Sequence, residues 1–133
     1  MKFLLPLTAA VAVAGFSAPI LGADIDLSKL PPAATAKGVT FDKDIKPIFE
    51  KSCVKCHGAE KQKGKYRLDT LEASLKAGES GDAILKGDSA KSPLVQSVAR
   101  LDPDAAMPPD GKGDPLTPAQ IGVIRAWIDQ GAK

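Results

Sequence analysis

One pentapeptide constrains this chain more than any other feature, the run Cys53-Val54-Lys55-Cys56-His57. It has the form C-x-x-C-H, which is the pattern of covalent haem attachment. The two thiols can add to the two vinyl groups of a haem, and the imidazole that follows is then placed to become an axial ligand of the iron. The sequence therefore predicts one covalently bound haem c, held by Cys53 and Cys56, with His57 as the proximal ligand.

Three other uses of these residues explain the pattern less well. A zinc site needs four ligands, whereas the chain contains only two cysteines and one histidine. A thioredoxin-like Cys-x-x-Cys pair lies in a βαβ context, and no strand alternation occurs near the motif. A structural disulfide would give the adjacent histidine no role. Haem attachment is the interpretation that uses all three side chains.

The beginning of the chain has the order of a secretory signal peptide. A short basic start precedes an apolar run over residues 3–16, and small residues follow before the first acid, Asp24. This order is typical of exported proteins. The run is shorter than the ~20 residues of a membrane-spanning helix, and Pro6 interrupts it. We therefore predict a signal peptide at residues 1–23, export to the periplasm and no stable membrane insertion after cleavage.

The remainder divides into a leader and one domain. Residues 24–40 are rich in proline and alanine and have no apolar period, which predicts a flexible leader. Residues 41–133 have the size and pattern of a single domain. The whole chain carries 18 basic and 16 acidic residues, a net charge of +2. That balance gives no support to a nucleic-acid partner.

Two helices are predicted in the first half of this domain. From Phe41 onward, apolar residues recur at steps of three and four, and Asp44 as N-cap would place Pro47 in the first turn, where proline is tolerated. A second helix is predicted to begin at Asp69, which forms a capping-box pattern with Glu72. The first helix then leads directly into the Cys-x-x-Cys-His motif.

Two further helices are predicted in the second half. One of them begins after Ser92, the predicted N-cap, with Pro93 at its first position. The last helix begins with a capping box formed by Thr117 and Gln120. The last helix has a broad apolar face that includes Trp127, and Gly131 marks its end. No segment alternates as a strand. The domain is predicted to be all-α, with about four to five helices wrapped around the haem and with the first and last helices packed on each other.

Met107 is the candidate for the second axial ligand. Once the signal peptide is removed it is the only methionine, and the chain has no second histidine. A thioether sulfur is a known axial ligand of electron-transfer haems. Pro108 and Pro109 follow it and stiffen the loop between the third and fourth helices. The sequence predicts Met107 on the iron, with a lysine or an open position as the alternatives.

The order of these features resembles the class I cytochrome c fold and, more narrowly, the Planctomycete-type cytochrome c domain family. The matching stretches are FDKDIKPI at 41–48, CVKCHG at 53–58, YRLD at 66–69, GDAI at 81–84, GD at 87–88, SPL at 92–94, MPP at 107–109, IRAWI at 124–128 and GA at 131–132. The resemblance implies covalent haem, His57 and Met107 as axial ligands, and electron transfer as the activity.

One departure from the mitochondrial-like pattern concerns the second N–H of His57. In those cytochromes a Gly-Pro pair supplies the carbonyl that accepts it, but here Gly64 is followed by Lys65. A metal-bound histidine still needs such an acceptor, and we predict a carbonyl within residues 64–67. Arg67 is a candidate partner for a haem propionate, because guanidinium binds carboxylates bidentately. An ordinary solvated arginine is the alternative.

Basic residues are concentrated around the attachment motif. Between residues 51 and 67 there is one acid, Glu60, among several cations: Lys51, Lys55, Lys61, Lys63, Lys65 and Arg67. Such a basic collar would steer an acidic redox partner toward the haem. A solvated charged face without a partner is the alternative.

Two functions fit these predictions. The first is a monomeric periplasmic monohaem cytochrome that carries single electrons between redox partner proteins. The second is an accessory haem subunit, or a ligand-sensing haem module, of a larger oxidoreductase. A stand-alone enzyme is not expected, because the sequence shows no second cofactor site and no acid–base cluster.

Overall fold

The computed structural model describes residues 24–133, so the predicted signal peptide lies outside the described residues. This part of the chain contains four α-helices and no β-sheet, which confirms the prediction of an all-α fold. The helices are α1 (Lys46–Ser52), α2 (Leu71–Ser74), α3 (Pro93–Val98) and α4 (Pro118–Asp129). A π-helical turn (Phe41–Ile45) leads into α1, and 3₁₀ turns occur at Leu27–Lys29, Lys63–Lys65 and Pro103–Ala105.

The first helical segment begins at Phe41 as predicted, but with a different cap. Thr40 is the capping residue, and the carboxylate of Asp44 accepts its backbone N–H at 2.9 Å from inside the segment. Asp44 as N-cap is therefore wrong, because the chain is already helical before that residue. Pro47 lies in the first turn of α1, where its missing N–H costs no helical hydrogen bond.

Helix α2 begins later than predicted and has only one turn. Its N-cap is Thr70, whose hydroxyl accepts the backbone N–H of Ala73 at 3.1 Å. The prediction of a helix starting at Asp69 is wrong, because the Asp69 carboxylate binds the guanidinium of Arg67 instead.

Helices α3 and α4 begin where the sequence predicts. Ser92 precedes α3, although its hydroxyl donates to the Asp88 carbonyl at 2.8 Å rather than capping the helix. Before α4, the Thr117 hydroxyl accepts the Gln120 N–H at 3.2 Å, and the Gln120 side chain accepts the Thr117 N–H at 2.9 Å. These two reciprocal bonds satisfy N–H groups that the helix itself leaves free.

An aromatic cluster joins the first and last helical segments. The rings of Phe41, Phe49 and Trp127 lie 5.9–6.3 Å apart between centroids. All three are almost fully buried, and the Trp127 indole N–H donates to the Lys133 carbonyl at 2.9 Å. The predicted contact between these two segments is confirmed.

The segment before the domain contacts α4. The Ala34 N–H donates to the Gly122 carbonyl at 2.9 Å, and the Val39 N–H donates to the Gln130 side chain at 3.2 Å. A Cβ on Gly122 would lie 2.8 Å from the Pro32 carbonyl oxygen, so the absence of a side chain allows this close approach. Residues 34–39 are thus hydrogen-bonded to the last helix, while the flexibility of the leader and its boundary at residue 41 stay predictions.

Across residues 24–133, none of the helices combines the length and the apolar character that a membrane crossing requires.

Candidate functional site

A cavity of about 410 Å³ brings together four of the five predicted site residues. Its size falls within the ~300–1,000 Å³ typical of ligand sites. Cys53, Cys56, His57 and Met107 all line it, although Met107 is fifty positions from His57 in the sequence. Nine of its other lining residues are apolar or aromatic: Phe49, Tyr66, Leu68, Ala83, Pro93, Leu94, Val98, Pro108 and Pro109.

The attachment motif forms a helical turn at the end of α1. The Cys53 N–H donates to the Phe49 carbonyl at 2.8 Å, and the Cys53 carbonyl accepts the N–H groups of Cys56 and His57 at 3.1 and 2.9 Å. Residues three and four positions apart on such a turn share one face. The turn therefore places both thiols and the imidazole along the same side of the chain, which is the side facing the cavity.

Gly58 allows the chain to leave this turn. It is buried, and a Cβ there would overlap the backbone oxygen of Val54 and lie 2.9 Å from its Cγ1. Beyond it, the Leu68 N–H donates to the His57 carbonyl at 2.8 Å. The backbone of His57 is thus fixed on both sides.

The imidazole of His57 has one nitrogen occupied by the protein. Its Nδ1 lies 3.3 Å from the carbonyl oxygen of Tyr66. A carbonyl can only accept, so this bond places the proton on Nδ1 and leaves Nε2 as the nitrogen available to a metal. The prediction of an acceptor within residues 64–67 is confirmed, and the residue is Tyr66.

Tyr66 is itself held in place by its side chain. Its hydroxyl donates to the Ser74 carbonyl at 2.7 Å. Its ring lies edge-on to the His57 ring, with 6.1 Å between the two ring centroids. Burial raises the pKa of the phenol above its ordinary value, so the hydroxyl remains a proton donor. The acceptor could be predicted only to within four residues, because no local signal in the sequence distinguishes one carbonyl from its neighbours.

The two thiols are partly buried and do not form a disulfide. Burial raises the pKa of Cys53 to about 12, which keeps this thiol protonated at neutral pH. In the described part of the chain, no three His, Cys, Asp or Glu side chains are grouped so that they could hold a metal ion.

Arg67 does not line the cavity. Its Nε and Nη2 donate to the two carboxylate oxygens of Asp69 at 2.9 and 2.6 Å. This hydrogen bond is the main cause that lowers the pKa of Asp69 and raises that of Arg67. The pairing engages the guanidinium with a carboxylate of the protein, so the assignment of Arg67 to a haem propionate stays a prediction that this geometry does not support.

Charged residues also line the cavity. Lys51, Lys55 and Lys63 of the basic collar line the cavity, whereas Lys61 and Lys65 are exposed outside it. Lys112, Glu79 and Asp114 also line it. No sequence pattern indicated Lys112, because it lies far along the chain from the collar and only folding brings it to the cavity.

The attachment turn, the histidine with its carbonyl partner and the methionine on the same cavity are together the features of a c-type cytochrome. The model of the family described as Planctomycete cytochrome C matches residues 53–111. Over this segment, the match confirms the resemblance seen in the sequence. No curated protein and no solved structure gives a significant match to the chain.

The matched segment begins at Cys53 and ends at Gly111, so it includes the motif and Met107. The family implies covalently bound haem c and electron transfer rather than catalysis. Cytochrome c domains are also typically exported. The cavity fits such a group, because it combines two thiols, one available imidazole nitrogen and a thioether within largely apolar walls.

Proposed function

We propose that this protein is a periplasmic monohaem cytochrome c that carries single electrons between redox partner proteins. The observation that supports the proposal most directly is that Cys53, Cys56, His57 and Met107 line one cavity. Because the chain has only these two cysteines and this histidine, it has the residues to attach one haem.

Each of the four side chains has a separate role in this proposal. Cys53 and Cys56 would hold the haem through thioethers to its two vinyl groups. His57 would bind iron through Nε2, while its Nδ1–H is held by the Tyr66 carbonyl. Met107 would supply the other protein ligand through its sulfur. When bound, the haem supplies a reversible one-electron change between ferric and ferrous iron.

In electron transfer, the role of the protein is to keep the same side chains on the iron in both oxidation states. Hydrogen bonds hold the backbone on each side of His57, and the Met107 N–H donates to the Ser97 carbonyl at 3.0 Å. A sulfur ligand that stays on the iron also excludes small molecules from that position. This exclusion favours a carrier over a ligand sensor.

We also propose that the redox partner protein has an acidic surface. Lys51, Lys55 and Lys63 lie at the cavity, and Lys61 and Lys65 extend the basic collar over the exposed surface beside it. Complementary charge accelerates encounter and orients the partner toward the group that exchanges electrons. The protein would act as a monomer that associates only transiently.

Optical spectra of the purified holoprotein, oxidised and reduced, with and without carbon monoxide, test the function. A Met/His iron gives a weak far-red sulfur-to-iron band when oxidised and resists carbon monoxide when reduced. Ready binding of carbon monoxide by the wild type would contradict the carrier and favour the ligand-sensing module. Stable co-purification with a dehydrogenase would favour the accessory subunit.

Substitution of Met107 tests the ligand itself. Met107→Ala should abolish the far-red band, open the iron to carbon monoxide and lower the potential, because a good ligand for ferrous iron is removed. Met107→His is the matched control that should keep the iron six-coordinate while also lowering the potential. A far-red band that survives in Met107→Ala would show that another group is the ligand.

A further inference from the structure

Arg100 occupies a backbone position that normally suits glycine. It follows the end of α3 with φ of 55°, in the left-handed region. Its N–H donates to the Ser97 carbonyl at 3.0 Å, and the next N–H, of Leu101, donates to the Gln96 carbonyl at 3.1 Å. These two bonds are the Schellman motif that ends many helices, and glycine is the usual residue at its left-handed position. A side chain there carries a steric penalty.

The side chain of Arg100 makes contacts that glycine could not. Its Nη1 donates to the Pro108 carbonyl at 2.9 Å, and its Nη2 pairs with the Asp110 carboxylate. The Arg100 side chain is 30% exposed, whereas that of Asp110 is 93% exposed. The bond to the Pro108 carbonyl is therefore the better protected of the two.

The same end of α3 also holds the other side of Met107. The Met107 N–H donates to the Ser97 carbonyl, the oxygen that also accepts the Arg100 N–H. The Met107 N–H and the Pro108 carbonyl are thus both anchored at the end of α3, the first by the Ser97 backbone and the second by the Arg100 guanidinium. Ser97 and Val98 of the same helix line the cavity together with Met107.

We infer that Arg100 is a positioning residue that holds the Met107 sulfur toward the iron by fixing the Pro108 carbonyl. The inference rests on the proposed function, since it requires Met107 as the sixth ligand. Without the guanidinium, the loop would keep the Met107 bond to Ser97 but lose the bond at the Pro108 carbonyl. The sulfur would then leave the iron more often, and external ligands would compete more successfully for its place.

The test variant is Arg100→Gly in the holoprotein. Glycine relieves the left-handed strain while it removes the bond to Pro108, so the two effects on unfolding oppose each other and overall stability should change little. Ferrous Arg100→Gly should bind carbon monoxide about tenfold more tightly or better, because a hydrogen bond from a charged donor is worth at least one factor of ten. The far-red band should weaken and the potential should fall.

Two further variants separate the guanidinium from its surroundings. Arg100→Lys retains a charged donor and should lie between wild type and Arg100→Gly in carbon monoxide affinity. Asp110→Asn removes only the exposed charge partner and should behave as the wild type, because exposed ion pairs contribute little. If ferrous Arg100→Lys or ferrous Asp110→Asn bound carbon monoxide as tightly as Arg100→Gly does, the effect could not be assigned to the bond with the Pro108 carbonyl, and the inference would be overturned.

The wild-type spectrum separates failure of this inference from failure of the proposed function. If wild type resists carbon monoxide and Arg100→Gly resists it equally with an unchanged band, the role of Arg100 is wrong and Met107 remains the ligand. If wild type itself binds carbon monoxide readily, Met107 is not the ligand and the inference is overturned with it.

Discussion

The Nδ1–H of His57 donates to the Tyr66 carbonyl, and the Tyr66 hydroxyl in turn donates to the carbonyl of Ser74, the last residue of α2. The residue that orients the imidazole is therefore anchored at both its backbone and its side chain. A mitochondrial-like cytochrome uses a proline carbonyl in the corresponding role, whereas here a tyrosine supplies both the acceptor and its anchor.

We expect Tyr66→Phe to raise the reduction potential. The Nδ1 hydrogen bond makes a ligating histidine more basic. Loss of the Tyr66 hydroxyl should loosen the Tyr66 carbonyl and weaken this bond. His57 would then be a weaker electron donor, which favours ferrous iron. The lost hydroxyl also leaves the Ser74 carbonyl without that donor, at a cost of about 1–3 kcal/mol in the free energy of unfolding. A redox titration and a denaturant titration measure the two effects. Reduced stability with an unchanged potential would limit the hydroxyl to a role in folding.

If Cys53 and Cys56 form thioethers as we propose, haem should remain on the polypeptide through acid–acetone extraction and denaturing electrophoresis. Cys53→Ser and Cys56→Ser should each sharply reduce the yield of holoprotein, since each removes one of two covalent bonds. Haem staining of the gel together with the absorbance of the purified protein checks both outcomes. Complete loss of haem from the wild type under these conditions would exclude covalent attachment.

Gly58→Ala should impair haem incorporation. Its Cβ would overlap the Val54 carbonyl within the attachment turn, so the turn must shift, at a cost of about 1–3 kcal/mol. Gly38→Ala is the matched control, because Gly38 has φ of 64° and no atom within 4 Å of a built Cβ. It should cost about 1–2 kcal/mol from backbone strain alone and leave the holoprotein yield unchanged. Equal yields from the two variants would argue against a steric role for Gly58.

Trp127→Ala should reduce the free energy of unfolding by about 3–5 kcal/mol, as for other large-to-small changes in a core. The indole is fully buried against Phe41 and Phe49 and donates to the Lys133 carbonyl. Trp127→Phe keeps most of the ring contact but loses the N–H donor, so it should cost less. Thermal or denaturant unfolding measures the difference. A melting temperature unaffected by Trp127→Ala would contradict the packing of the last helix on the first.

Electron transfer to the physiological partner should slow steeply as salt rises, because exposed charges are screened beyond roughly 10 Å at 0.1 M salt. Reversal of Lys61, Lys63 and Lys65 to Glu should slow association and leave the optical spectrum intact. Stopped-flow measurements over a range of ionic strength test this expectation. A matched reversal of Lys37, Lys43 and Lys86, exposed lysines outside the collar, should have a smaller effect. If the rate of electron transfer did not depend on salt, the collar would be a solvated surface without a role in docking.

Features that depend on neighbours in the chain could be predicted from the sequence. The Cys-x-x-Cys-His spacing, the capping box of Thr117 with Gln120 and the proline at the start of α3 each involve residues at most four positions apart. Their physical basis is the geometry of a single helical turn, which every chain shares. The all-α class followed from the same local signals.

Even among local features, competition between partners altered the outcome. Asp69 has the side chain of a good N-cap, but it lies two residues from Arg67 and binds that guanidinium at 2.6 Å. Thr70 then caps α2 instead. The sequence contained both possibilities, and the stronger charge-assisted bond determined which one formed.

Only the tertiary structure decided which distant groups meet. It placed Met107 on the same cavity as His57, chose Tyr66 among four candidate carbonyls, and brought the Arg100 side chain to the loop that carries Met107. Such contacts depend on the whole path of the chain, since each is a compromise among packing, hydrogen bonding and backbone strain elsewhere. The sequence alone thus determined which chemical groups the site contains, whereas folding determined how they are held.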